Sequence, residues 1–256
     1  DKVILSTKCG LSWDEGNIGQ LHVERDGHRI VRNLSAKSIR KDLENSLKRL
    51  KTEYIDIYYV HYPVFGTYAV PVEETMDELN RMKKEGKIRA IGASNMNPEV
   101  LNEYCTYADI EIIQEKYSLL DTHIADELLP VCQKHHVSIQ AYSPLEQGLL
   151  TGKVTQDTVL SPTDVRNKNK FWAQKSRLHI LNVLQKLTPY TEKYSCSLSN
   201  LIIYLTAASL PDLHVLCGAR KPEQIIDNVK TLSLNLEEAD LSEMSQLFEQ
   251  LRNSIR

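Results

Sequence analysis

The sequence predicts an α/β fold, a parallel (β/α)8 TIM barrel that is missing its first two strand–helix units. Short apolar strands alternate with helical segments along the chain, which is typical of a parallel sheet. Six such strands can be counted, and polar residues stand at or just after the end of each, as expected where all strand ends face one mouth of a barrel. Two missing units would explain this count. They would also explain why the chain opens at once on an apolar strand, at residues 3–8.

The length and composition indicate a single domain that covers residues 1–256. A chain of 256 residues with 41% hydrophobic content can bury the core of one barrel. The 31 basic and 34 acidic residues give a formal net charge of -3 with no long run of either sign, so neither nucleic acid nor an anionic membrane is expected as a partner. The chain has five scattered cysteines without C-x-x-C spacing, no apolar run long enough to cross a bilayer and no signal-peptide pattern. These features predict a cytoplasmic protein and leave its oligomeric state open.

The segment at 53–63 predicts a buried strand, because it is rich in aromatic and β-branched residues and has no Gly or Pro before Pro63. His61 stands at its C-terminal end, where the loops of a parallel α/β protein open onto the ligand cleft. His61 is therefore the first candidate for chemistry. Strand alternation places Tyr58 and Tyr62 on the opposite face from His61, with Tyr59 a layer deeper.

The other elements follow from helical spacing and from start and stop signals. Ser35 is predicted to cap a helix whose apolar positions continue as far as Leu50. Asn97 and Pro98 are predicted to open another helix, with Pro at its first position. Further helices are predicted at 72–85, 125–135, 177–194, 199–209, 222–231 and 237–251, and further strands at 88–93, 110–115, 137–142 and 213–217. Polar segments remain at 9–33 and 146–175, and we expect the second to be a functional loop.

Short blocks of sequence at the predicted strand ends carry a resemblance to a known family. The blocks are STK at 6–8, DIYYVHYP at 56–63, GKIRAIGASN at 86–95, QEKYS at 114–118, AYSPLEQGLL at 141–150 and GARKPEQIIDN at 218–228. In this order and spacing the chain resembles the aldo-keto reductases across essentially its whole length. These blocks are most similar to those of the bacterial aldehyde and methylglyoxal reductases, with a more distant likeness to potassium-channel β subunits.

The resemblance implies an NAD(P)H-dependent oxidoreductase that reduces aldehydes or ketones to alcohols by hydride transfer, without a metal. A carbonyl that accepts hydride becomes an alkoxide, so the site must supply a proton and stabilise the charge on oxygen. Lys8 and His61 match the Lys and the His with which the family does this. The Asp and the Tyr general acid of the family are expected upstream of residue 1. The resemblance therefore implies that the chain as given is inactive.

The cofactor positions of the family also have counterparts in this chain. Those that match the side chains around the nicotinamide carboxamide are Ser94, Asn95 and Gln114, and Tyr142 matches the ring that stacks on the nicotinamide. Those that match the diphosphate site are Ser143, Leu145 and Gln147. Those that match the adenosine end are Gly218, Arg220, Gln224, Asp227 and Asn228.

Two basic residues in the long loop, Lys153 and Arg166, match positions that approach the cofactor phosphates in related members. Because an arginine fork suits a phosphate, they favour NADP(H) over NAD(H). Gln224 stands where many members have Arg, and Gly218 where other branches have Lys, so use of NAD(H) stays open.

Each candidate also has a plain structural interpretation. Lys8 fits a strand-end lysine that reaches solvent, and His61 fits a satisfied core histidine. Ser94 and Asn95 are both residue types that begin helices, and Lys153 and Arg166 fit solvated loop charges.

The function classes that stay open are three. The first is the reductase, acting on a small aldehyde or ketone inside an apolar rim formed by loop aromatics, namely Trp13, Phe65, Tyr68, Phe171 and Trp172. The second is a noncatalytic nicotinamide-binding regulatory module similar to the channel β subunits. The third, an unrelated phosphate-binding barrel, predicts no nicotinamide binding.

Overall fold

The computed structural model describes residues 3–13 and 18–255, and the chain divides into two compact units. The first unit comprises Asp1–Glu115 and Ile124–Gln140, and the second comprises Lys116–His123 and Ala141–Arg256. The single domain predicted for 1–256 stays a prediction. No helix of the described residues is long and apolar enough to cross a membrane.

The six predicted strands are all present and form one sheet. They are β1 (Ser6–Cys9), β5 (Ile55–Val60), β6 (Ile88–Ser94), β7 (Ile110–Lys116), β8 (Ser138–Tyr142) and β9 (Leu213–Leu216), in the order β1-β5-β6-β7-β8-β9. Pairing is parallel, with Lys8 opposite Tyr59 and Ser94 opposite Gln114. The parallel α/β fold is thus confirmed, whereas the absence of two barrel units is not.

A small antiparallel sheet lies within the polar stretch 9–33, in which the sequence predicted no strand. Its strands are β2 (Leu11–Ser12), β3 (Gln20–Arg25) and β4 (His28–Arg32), in the order β2-β4-β3. Asp26 and Gly27 join β3 to β4 with φ values of 51° and 78°, the positive φ that a two-residue hairpin turn requires. The strands were overlooked because their side chains are mostly polar and exposed. The Asp-Gly pair was the sequence signal that could have revealed them.

The helices of the first unit cover the sheet with apolar faces, as their spacing predicted. They are α1 (Ala36–Leu50), α2 (Val72–Lys84), α3 (Pro98–Tyr107) and α5 (Leu129–His135), with the short α4 (His123–Glu127) before α5. The predicted helix 125–135 is broken into α4 and α5 because Pro130, in the first turn of α5, has no N–H to continue α4.

The sequence predicted the N-terminal cap of α3 correctly but not that of α1. Asn97 accepts a hydrogen bond from the N–H of Val100 at 2.8 Å, as predicted for the start of α3. Ser35 makes no side-chain cap, and Glu74 instead accepts from the N–H of Ala36 at 3.0 Å. A residue distant in sequence therefore replaced the local cap.

The second unit has its own apolar core, to which helices α6 (Gln174–Lys186), α8 (Leu198–Ala208) and α10 (Glu238–Ser254) contribute buried residues. Its other helices are α7 (Thr188–Lys193), which packs Tyr190 against this core, and α9 (Pro222–Val229), which has no buried residue. The predicted helix 177–194 is divided between α6 and α7, with Pro189 in the first turn of α7. The long loop contains three short 3-10 helices at Glu146–Thr151, Val165–Lys168 and Lys170–Trp172. Phe171 and Trp172 are buried in the core of this unit, so their predicted place in an exposed rim was wrong.

Candidate active site

A cavity of about 470 Å³ lies in the first unit and brings together three residues singled out from the sequence. Lys8, His61 and Gln114 all line it, together with Tyr59 and the exposed Trp13. Lys8 belongs to β1, His61 directly follows β5, and Gln114 belongs to β7. Parallel pairing places the ends of these strands at one edge of the sheet, which is why residues so distant in sequence meet.

Lys8 is held among polar and aromatic groups at the edge of this cavity. Its ammonium donates a short hydrogen bond to Oε1 of Gln114 and lies 4.6 Å from the ring centroid of Tyr59. Burial lowers the pKa of Lys8 from 10.5 to about 8, opposed by the nearby carboxylate of Glu115. At pH 7 the side chain still carries its positive charge, which can stabilise negative charge on a nearby atom.

Tyr59 forms the floor beneath Lys8 and is fully buried. Its hydroxyl donates to Oε1 of Gln140 at 2.8 Å, and Nε2 of Gln114 donates to the same oxygen at 2.9 Å. A chain of hydrogen bonds thus runs from Lys8 through both glutamines to the phenol. Burial raises the pKa of Tyr59 to about 12, so the phenol stays protonated at neutral pH.

His61 follows directly after β5, and its main chain is held on both sides. Its N–H donates to the carbonyl of Cys9 at 3.1 Å, and its own carbonyl accepts from Nδ2 of Asn95 at 2.9 Å. Burial lowers the pKa of the imidazole to about 4, and the positive charges of Lys8, His22 and Arg32 lower it further. The ring is therefore neutral at pH 7 and can donate a hydrogen bond to a substrate oxygen.

The tyrosines around His61 follow the strand alternation only in part. Tyr58 points to the helix side, as predicted, where its hydroxyl donates to the carbonyl of Ile39 at 3.1 Å. Tyr62 was predicted on the face opposite His61, but its ring stacks on the imidazole with 4.7 Å between centroids and 18° between planes. Alternation fails here because β5 ends at Val60, before both residues.

The three residues predicted for the carboxamide lie next to one another. The hydroxyl of Ser94 donates to the carbonyl of Gln114 at 2.6 Å, and Nδ2 of Asn95 donates to Oγ of Ser94 at 3.1 Å. Ser94 is almost fully buried, so in this structure its hydroxyl supports its two neighbours. Amide and hydroxyl groups supply both donors and acceptors, which is the donor set that a carboxamide requires. The role of these residues toward a nicotinamide carboxamide stays a prediction.

Glu115 is a residue of this site that the sequence analysis missed. It is 4% exposed, and the N–H groups of Asn95 and Met96 hydrogen-bond its carboxyl, the latter at 2.8 Å. Burial raises the pKa of Glu115 to about 8. The carboxyl holds the turn in which Asn95 adopts a left-handed φ of 59°. An acidic residue inside the apolar strand β7 was the signal that could have revealed it.

The candidates of the second unit begin at the end of β8. The carbonyl of Tyr142 accepts from the N–H of Tyr117 at 3.3 Å. Ser143 and Gln147 both have left-handed backbone, with φ of 60° and 57°, and the carbonyl of Leu145 accepts from the N–H of Gly148 at 2.9 Å. These contacts shape a tight turn after the strand. The role of this turn toward a diphosphate stays a prediction.

The residues predicted for the adenosine end lie before and within α9. Oε1 of Gln224 accepts from the N–H groups of Arg220 at 2.6 Å and Lys221 at 3.1 Å, so this side chain caps the helix. Asp227 accepts from the hydroxyl of Ser197 at 2.9 Å, which ties α9 to the start of α8. Gly218 and Arg220 are exposed and Asn228 is half-buried. Their contact with a cofactor stays a prediction.

Arg166, predicted to approach a cofactor phosphate, forms an ion pair with Asp164 and a cation–π contact with Trp172. Its Nε and Nη2 donate to the carboxylate of Asp164 at 2.9 and 2.6 Å, and its guanidinium lies 4.7 Å from the ring centroid of Trp172. Lys153 is exposed in the same loop. The charge that was expected to select a phosphate is thus already balanced by Asp164.

The comparisons with known proteins address the family directly. The sequence profile described as Aldo/keto reductase family matches residues 1–249. The chain belongs to this family. It is 39% identical over 252 residues to the NADH-specific methylglyoxal reductase of Escherichia coli strain K12, covering 98% of this chain and 76% of that protein. It is 32% identical over 244 residues to aldo-keto reductase YhdN of Bacillus subtilis strain 168, covering 93% of this chain and 68% of that protein.

Solved structures agree with the family assignment of this aldo/keto reductase. The glycerol dehydrogenase AKR11B4 from Gluconobacter oxydans superimposes with a TM-score of 0.86 at 28% identity, over 98% of this chain and 73% of that one. The family supports an oxidoreductase that acts on carbonyl compounds with NAD(P)H. The alternative of a noncatalytic regulatory module is not supported.

Two predictions about this aldo/keto reductase need correction or lack support. The preference for NADP(H) over NAD(H) is contradicted, because the Escherichia coli relative at 39% identity is described as NADH-specific. In this structure Arg166 pairs with Asp164, so its guanidinium already faces a carboxylate. The expectation that an N-terminal part is missing is not shown by these comparisons, in which the alignment covers 98% of this chain and 76% of that relative.

Proposed function

We propose that this protein reduces small aldehydes or ketones to alcohols with NADH, and that Lys8 and His61 act on the carbonyl oxygen. One observation carries the proposal: the ammonium of Lys8 and the neutral imidazole of His61 line the same cavity. The cofactor follows from the NADH-specific relative in Escherichia coli. The name of that relative also makes a small 2-oxoaldehyde such as methylglyoxal the first substrate to test.

The proposed chemistry gives each residue of the cavity a separate task. When bound, NADH would supply a hydride to the carbonyl carbon. The carbonyl oxygen would become an alkoxide and take up one proton from solvent to give the alcohol. The Lys8 ammonium stabilises the negative charge of the alkoxide electrostatically. His61, whose pKa of about 4 keeps it neutral, donates a hydrogen bond that orients the carbonyl. Asn95 and Gln114 would hold the carboxamide, and Trp13 supplies an apolar wall beside the substrate.

Measuring the consumption of NADH with methylglyoxal as the substrate tests the proposal. We expect Lys8→Met and His61→Leu each to lower kcat by about 100-fold or more, because each removes a group that contacts the charged oxygen. Binding of NADH, followed by its fluorescence, should change little in His61→Leu. The matched control is Lys48→Met, which removes an exposed lysine of α1 outside the cavity and should leave kcat unchanged.

Either of two results would overturn the proposal. One is a Lys8→Met variant with the wild-type kcat, which would remove Lys8 from the reaction. The other is a wild-type chain that binds NADH but turns over no carbonyl compound. That second result would agree with the expectation that the chain as given is inactive.

A further inference from the structure

A continuous stack of side chains joins the small antiparallel sheet to His61. The guanidinium carbon of Arg32 lies 4.4 Å from the ring centroid of Tyr62. The same ring stacks on His61 at 4.7 Å and meets the ring of His22, tilted by 39°, at 4.8 Å. A single tyrosine ring therefore contacts one cation and two imidazoles.

The contacts of Arg32 fix this stack in place. Its Nε donates to Nδ1 of His22 at 3.1 Å, and its Nη1 donates to the carbonyl of Pro63 at 3.4 Å. Arg32 ends β4 and His22 belongs to β3, whereas Pro63 follows His61 and Tyr62 in the chain. The arginine thus ties the antiparallel sheet to the segment that carries His61. Its contacts with a ring face, a ring nitrogen and a carbonyl use the planar fork that Lys lacks.

We propose that Tyr62 and Arg32 are positioning residues that set the ring plane of His61. The proposal rests on the function proposed above, in which His61 orients the carbonyl. A half-buried imidazole can turn about two side-chain torsions, and an aromatic ring stacked on one face removes most of that freedom. Arg32 in turn holds Tyr62 by a cation–π contact. A small displacement of a group that aligns a reacting carbonyl lowers the rate strongly.

The kinetic test compares variants that remove the stack with variants that keep it. We expect Tyr62→Leu to lower kcat by about 10-fold or more with little change in KM, and Tyr62→Phe, which keeps the ring, to stay close to wild type. Arg32→Met should also lower kcat, and Arg32→Lys should restore part of it, since the charge returns without the fork. The matched control is Tyr54→Leu. Tyr54 also makes a cation–π contact, with the guanidinium carbon of Arg89 3.9 Å from its ring centroid, and it does not line the cavity.

An NMR measurement on His61 needs no substrate, so it tests the role of the stack even if the proposed function is wrong. The three-bond NMR couplings that report the χ1 rotamer of His61 should show rotamer averaging in Tyr62→Leu and a single rotamer in wild type, Tyr62→Phe and Tyr54→Leu. The charged groups that face His61 are Lys8, His22 and Arg32, so Arg32→Met should raise the pH at which the ring titrates. Unchanged His61 couplings in Tyr62→Leu would overturn the proposal, and so would an unchanged kcat in an active enzyme. If the wild-type protein reduces no carbonyl, the proposed function fails, and the His61 couplings alone decide whether the stack sets the ring.

Discussion

Gly92 of β6 lies directly against the ring of Tyr59 of β5. The two residues are opposite each other in the parallel register, and a Cβ atom at Gly92 would lie 2.4 Å from Cδ1 and 2.5 Å from Cε1 of that ring. Only a residue without a side chain leaves room for the phenol at this place. Because the phenol forms the floor under Lys8, the glycine helps to define the shape of the cavity.

Gly92→Ala should therefore destabilise the protein by about 1–3 kcal/mol, as overpacking in a core does. The free energy of unfolding in urea measures this cost. Gly218→Ala is the matched control, because a Cβ there meets no atom within 4 Å, and we expect a change of less than about 0.5 kcal/mol. In a Tyr59→Leu background the cost of Gly92→Ala should shrink, since the ring that it would strike is gone. An equal cost in both backgrounds would contradict the proposed clash.

The buried carboxyl of Glu115 should make stability depend on pH. Burial raises its pKa from the ordinary 4.5 to about 8, so between these values the folded state keeps a proton that the unfolded state has lost. Within this window the free energy of unfolding should fall by at most about 1.4 kcal/mol per pH unit as pH rises. Lys8 acts in a separate window, because its pKa is lowered from 10.5 to about 8 and its contribution makes stability rise with pH only above about 8.

Urea unfolding of wild type and Glu115→Gln between about pH 5 and pH 8 checks this sign. The stability of the wild type relative to the variant should decrease as pH rises, since Gln does not titrate. Glu53→Gln, at an exposed position before β5, is the matched control for the substitution of Glu by Gln. Parallel pH profiles for wild type and Glu115→Gln would show that the carboxyl titrates normally in the folded protein.

Arg40 joins α1 to α2 through two carboxylates, and its loss should be costly. Its Nη1 and Nη2 donate to Glu85 at 2.8 and 2.9 Å, and its Nε donates to Glu78, which is 4% exposed. Among the described residues, Arg81 at 3.4 Å is the cation that still pairs with the buried Glu78 in Arg40→Met, and we expect a loss of about 3 kcal/mol in the free energy of unfolding. Arg25→Met, which breaks an exposed pair with Asp26 at 3.9 Å, should cost less than about 1 kcal/mol. Similar losses in the two variants would show that Glu78 is not desolvated as the structure indicates.

The sequence predicted elements best where a local signal and the final packing agree. The strand that leads to His61 is continuous, aromatic and buried, and it formed as predicted. Asn97 and Pro98 began α3 as predicted because a cap acts on backbone groups only a few residues away. Where a partner distant in sequence took over, local signals failed: Glu74 replaced Ser35 as the cap of α1.

Local residue patterns and their order were enough to predict the family, the six strands and the candidates Lys8 and His61. The surroundings of those two residues became known from the three-dimensional structure. It placed Glu115 behind the turn at Asn95 and stacked Tyr62 on His61. The physical reason is that hydrogen bonds, ring stacking and pKa shifts depend on distances of a few ångströms between residues far apart in the chain, and no local pattern encodes such distances.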